Sequence, residues 1–169
     1  METLTAQHSL AAIRWRIGIV IAGLFISGVT AFPLQSELEL LSKVIPSNGL
    51  LGEWLHRVNT ALTETQVKYP FLNYGTDWLA FAHIMFAVLF IGPWIDPVKN
   101  TWVTRFGLIA CIAILPLAFI AGSIRGIPFF WQLIDCSFGV FCFIPLWSAL
   151  KRTNKLIQKE NKLSYYHVS

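Results

Sequence analysis

Charged side chains are scarce in this chain, making up 13% of its 169 residues against 55% hydrophobic ones, and the mean hydropathy is +0.58. A typical soluble domain carries about 25% charged residues. Too little polar surface is therefore present to clothe a water-facing exterior. Also missing are GxSxG, HExxH, Walker A and GxGxxG sequences, which removes the common hydrolase, zincin and nucleotide-binding signatures. The three cysteines, Cys111, Cys136 and Cys142, lie inside apolar runs without CxxC spacing. They imply neither a disulfide framework nor a zinc site and read as small buried apolar residues. The net charge of +4 comes from cations spread along the chain rather than interleaved with aromatics, so no nucleic-acid partner is expected.

What the chain does have is long uncharged runs, from Ile17 to Ser36, Trp78 to Ile95 and Phe106 to Ile124. A fourth, from Gly126 to Leu150, contains Asp135 as its one charge. A bilayer's hydrocarbon core is ~30 Å thick and needs about 20 helical residues to cross. The expected fold is an all-α membrane protein, a four-transmembrane-helix bundle forming one integral membrane domain over residues 1–169. Its spans are expected at about 15–33, 77–95, 103–123 and 128–149, with an extracytoplasmic segment at 34–75 and a basic cytoplasmic tail at 151–169.

Orientation follows from the cations. Nine fall on one side of the four spans: Arg14, Arg16, Lys99, Arg105, Lys151, Arg152, Lys155, Lys159 and Lys162. The other side has Lys43, Arg57, Lys68 and Arg125. By the positive-inside rule both termini are cytoplasmic, which suits a bacterial inner-membrane protein. The tail is expected to anchor the last span against the anionic leaflet. A competing expectation at the N-terminus is a signal peptide cleaved after Val29-Thr30-Ala31, whose small residues suit a cleavage site.

Within the 34–75 segment, Pro46-Ser47-Asn48-Gly49 separates two short helical patterns. In the second, Leu51, Trp54, Leu55, Val58 and Leu62 share one face, with Glu53, Arg57, Thr60 and Glu64 largely opposite. Such an amphipathic helix belongs at a membrane surface. It is expected to form a lid over the outer end between helices 1 and 2. Pro116 predicts a disturbance of the third span, and Pro128 suits the first turn of the fourth.

Two ionisable residues stand out inside spans. His83 and Asp135 lie about six and seven positions into helices that enter from outside, roughly 10 Å below the outer interface. A charge near mid-bilayer costs about 2.5 to 3.5 kcal/mol on insertion scales, so Asp135 needs a partner or a wet cavity, and His83 is the best candidate. The pair is the candidate catalytic centre. Asp77, Arg125, Trp131 and Ser27 are the candidate ligand-binding residues around it. The bland alternative is an interhelical contact worth about 0.6 kcal/mol. Glu53-x-x-His56 has a spacing that can bind metal in bundles, and His83 could serve as an axial ligand, so metal or haem at His83, His56 and Glu53 is a minor option and no cofactor is expected.

Three functions are compatible with these residues. The first is a polar pocket in the outer leaflet binding a lipid or hydrophobic small molecule. The second is an intramembrane enzyme using the His83–Asp135 pair. The third is a non-catalytic subunit contacting membrane lipids and a membrane-protein partner or a second copy of itself.

Overall fold

The computed structural model describes residues 2–168, with side chains described for 7–159, and is 89% helical with no strand among the described residues. In chain order the helices are α1 (Glu2–Ala31), α2 (Leu34–Val44), α3 (Leu50–Lys68), α4 (Tyr74–Ile95), α5 (Thr101–Pro116), α6 (Gly122–Ile124) and α7 (Phe129–Val168). A 3-10 turn, Pro70–Asn73, leads into α4, and a π turn, Leu117–Ala121, joins α5 to α6. Four segments are long and apolar enough to cross a membrane: Gln7–Ala31, Pro70–Ile95, Thr101–Ile124 and Phe129–Lys159. Only 17% to 22% of their apolar windows is buried within the chain. Phe25, Phe81, Ile112 and Phe141, one on each, are exposed. A hydrophobic surface this extensive is stable only against lipid.

Two compact bodies divide the chain, Gly23–Phe86 and a second made of Met1–Ala22 with Ala87–Ser169. The second is built on α5 packed along α7. Glycine makes the approach close. A Cβ on Gly107 would stand 2.6 Å from the Phe90 ring and 2.8 Å from Leu146 Cδ1, and one on Gly139 would stand 2.9 Å from the Cys111 carbonyl oxygen. With no solvent to drive helices together in lipid, contacts of this kind supply the packing.

The turn between α6 and α7 is hydrogen-bonded throughout. Gly126 adopts φ +69°, the Ile127 amide donates to Gly122 O at 2.9 Å and the Gly126 amide donates to Ser123 O at 3.2 Å. These are the two bonds of a Schellman cap, which favours glycine at its left-handed position. Gln132, nearly fully buried, reaches back from α7 and donates from Nε2 to Ile127 O at 2.8 Å. Pro128 follows directly, and its carbonyl accepts from the Trp131 and Gln132 amides. Pro116 does disturb the third span: it lacks an amide hydrogen, and the π turn begins at the next residue.

At the other end of α5 the connection is held by side chains. Asn100 Nδ2 donates to Gly92 O at 3.1 Å and to Asp96 O at 2.9 Å, closing the end of α4. The Lys99 amide donates to Asp96 Oδ1 at 3.0 Å, with Lys99 Nζ 3.5 Å from Oδ2. That amide bond is the main reason the Asp96 carboxyl sits below the usual carboxylate range, helped by the Lys99 charge.

Within Gly23–Phe86, α2 and α3 form a helical hairpin, and α3 packs on the 70–73 turn. The break falls at residues 45–49, where Gly49 has φ +92°. On α3, Leu55 and Gly52 are buried and Trp54, Val58 and Leu62 half-buried, whereas Leu51 is exposed. The apolar face thus lies slightly to one side of its expected position. α1 meets α4 at Gly28, where a Cβ would come within 2.8 Å of Ala80 O.

Candidate ligand-binding site

A cavity of about 580 Å³ opens in the Gly23–Phe86 body. Three separate chain segments wall it. The junction of α1 and α2 gives Phe32, Leu34 and Gln35, the end of α3 gives Leu62 and Gln66, and the stretch from the 3-10 turn into α4 gives Pro70, Phe71, Asn73, Tyr74, Thr76 and Asp77. The helical hairpin positions the first two groups because α2 and α3 pair along their apolar faces. The 3-10 turn, started by Pro70, delivers the third.

The polar groups are unevenly committed. Asn73 Nδ2 donates to Gln66 Oε1 at 2.7 Å, tying the 3-10 turn to α3. Gln35 Nε2 donates to Glu39 Oε1 at 3.2 Å. Asp77 has neither a hydrogen-bonded nor an ion-paired side chain among the described residues, and no Lys, Arg or His lines the cavity. The enclosure is therefore an aromatic and amide-lined space with a single unmatched carboxylate. Its volume falls in the ~300–1,000 Å³ range of small-molecule sites.

Of the residues singled out from sequence, Asp77 lines this cavity. Ser27 is exposed on α1, and its carbonyl accepts a bond from Thr30 Oγ1 at 3.4 Å. Arg125 is exposed in the turn before α7, and Trp131 makes an edge contact with Phe130 at 6.4 Å. His83 belongs to the Gly23–Phe86 body and Asp135 to the other. The His83 Nδ1 lies 2.8 Å from Leu79 O, one turn back on its own helix. A carbonyl can only accept, so Nδ1 is the donor in this bond. Asp135 is half-buried on α7.

Glu53 and His56 are both exposed on α3, and no group of three or more His, Cys, Asp or Glu positioned for a metal ion occurs among the described residues. His167 and Lys162 lie outside the described side chains.

Sequence reasoning missed most of the cavity wall. One signal was available: Gln66 extends the apolar stripe of α3 one turn beyond Leu62, and an amide on an apolar face asks for a partner or ligand. Phe32 and Phe71 gave no such hint, since an aromatic beside a span reads equally well as an interfacial anchor. Comparison with protein families, curated proteins and solved structures finds no match to this chain.

Proposed function

We propose that this protein binds a lipid-like or other hydrophobic small molecule in the cavity beside Asp77, at the outer leaflet of the membrane. The observation that carries the reading is the unmatched Asp77 carboxylate in a space otherwise lined by Phe32, Leu34, Leu62, Phe71, Tyr74 and amide groups. Such a lining suits an apolar body bearing a neutral hydrogen-bonding or positively charged head. An anionic head would meet Asp77 with no cation to offset it. In this reading α2 and α3 form the lid, both termini are cytoplasmic, and the membrane is the bacterial inner membrane. Support for the orientation comes from the excess of Lys and Arg before the first span, between the second and third, and after the fourth.

The test is mass spectrometry of molecules retained by the full chain after gentle detergent extraction, compared with Asp77→Asn. An amine- or hydroxyl-bearing amphiphile should be retained by the parent chain and bound about tenfold more weakly by the variant, the change expected for one charge-assisted hydrogen bond. Retention of an anionic amphiphile, undiminished by Asp77→Asn, would sink the reading.

A second reading, an intramembrane proton-transfer site, is favoured by one observation. His83 donates from Nδ1 to Leu79 O, which fixes the ring and leaves Nε2 as the nitrogen without that bond. Replacing His83 with Asn should then abolish turnover, and turnover left unchanged would reject this reading.

A further inference from the structure

The body made of Met1–Ala22 and Ala87–Ser169 has its own crevice, of about 710 Å³, between the inner half of α1 and Trp94 at the end of α4. Its floor is apolar, running along Leu10, Ala11, Gly18, Ile19 and Ala22. Arg14, Trp15 and Trp94 complete its lining. We propose that this crevice holds one anionic phospholipid, its phosphate on Arg14 and one acyl chain along Gly18, Ile19 and Ala22.

The argument begins with how Arg14 is held. Its Nε donates to Trp94 O at 3.1 Å and its Nη2 to Ile95 O at 3.2 Å. These are the last carbonyls of α4, the negative end of the helix, so they fix a cation there. Five N–H groups are available on a guanidinium, and two are used. The remaining ones, together with the indole N–H groups of two exposed tryptophans, line a crevice that contains no acidic side chain. A fixed planar cation with spare donors matches a phosphate. Tryptophan marks the headgroup level of a bilayer.

Below that level the surface changes character. Gly18 has no side chain, and a Cβ there would meet Trp94 Nε1 at an ordinary contact distance of 3.8 Å, so the indole lies close over the helix and the apolar floor of Ile19 and Ala22 continues beside it. From Arg14 to Ala22 the helix advances ~12 Å into the apolar layer. Polar head and apolar floor therefore follow one another in the order that a phospholipid presents them. The neighbouring Arg16 adds little to this surface, because it is turned away onto Ser148 Oγ at 2.9 Å and Ala12 O at 2.7 Å. This site and the Asp77 cavity belong to different bodies and select opposite charges.

The experiment uses the full chain in detergent micelles doped with phosphatidylglycerol or phosphatidylcholine, reading bound lipid by native mass spectrometry and the thermal midpoint in parallel. Phosphatidylglycerol should be retained and raise the midpoint, and phosphatidylcholine should do neither. Arg14→Gln should weaken phosphatidylglycerol binding roughly tenfold, the loss of one charge-assisted hydrogen bond. Because Arg14 also closes the end of α4, Gly18→Leu serves as a second variant. It keeps the guanidinium, adds bulk to the apolar floor beside the Trp94 indole and should reduce phosphatidylglycerol retention. Arg105→Gln, on exposed α5 surface, should change nothing. Equal retention of both lipids overturns the proposal, as does an equal loss in Arg105→Gln. So does a dimer dispersed by Gly18→Leu, which would assign the crevice to a second copy.

Discussion

Two regions of this chain, the α5–α7 seam and the α2–α3 hairpin, treat the space between helices in opposite ways. Around α5 and α7, glycines at 107 and 139 let neighbouring groups approach until no side chain would fit. In Gly23–Phe86, α2, α3 and the start of α4 leave about 580 Å³ open. Dense packing makes a scaffold whose parts cannot move separately, whereas an open hairpin can admit a ligand at low cost. The contrast assigns stability to the α5–α7 seam, and the hairpin space is the one the proposed ligand would fill.

The sharpest way to break that contrast is at glycine. Gly107→Leu must displace both Phe90 and Leu146, and should lower stability by about 3 kcal/mol, seen as a reduced thermal midpoint in detergent. Gly75→Leu, at a position with nothing within 4 Å, should stay within about 0.5 kcal/mol of the parent. Equal losses would mean that these two positions are packed alike. The Asp77→Asn substitution sharpens the comparison from the other side, since its tenfold effect on binding should leave the midpoint unchanged.

Legibility from sequence divided along the same line. The spans and the break at 45–49 could be read because each depends on a local run of residues: lipid-length apolar stretches, a Pro-to-Gly turn, an amphipathic period. Pro116 signalled the π turn for the same reason. The cavity could not be read, because Phe32, Gln66 and Asn73 come from three segments whose meeting depends on how α2 folds back on α3. Gln132 and Asn100 were equally silent. An amide inside or beside an apolar run gives no sign that it will bond a carbonyl several residues away, as both do here. Asp77 was noticed because a carboxylate opening a span is conspicuous. Arg14 was noticed as a topology signal, while its carbonyl partners were not.

The smallest expected effect concerns the connection between α4 and α5. Asp96 is held below the ordinary carboxylate range by the Lys99 amide and charge. A carboxyl depressed on folding contributes stability at neutral pH, above its unfolded value, and loses it as pH falls from that value through the folded one. Thermal midpoints of the parent chain and Asp96→Asn should therefore differ slightly at pH 7 and converge in acid. A gap that persists or widens in acid would contradict the assignment. Because the group is open to solvent, the gap should also shrink with salt.

Helix α7 runs unbroken for 40 residues, from Phe129 to Val168. At 1.5 Å per residue that is ~60 Å, about twice the thickness of the hydrocarbon layer. Measured along its axis, Lys159 stands ~18 Å beyond Trp147, past the ~8 Å reach of charge in physiological salt. If the rod leaves the bilayer steeply, Lys151 and Arg152 can feel the lipid headgroups, whereas Lys155, ~12 Å beyond Trp147, and Lys159 stand past that reach. The far end then acts as a mast rather than a mooring.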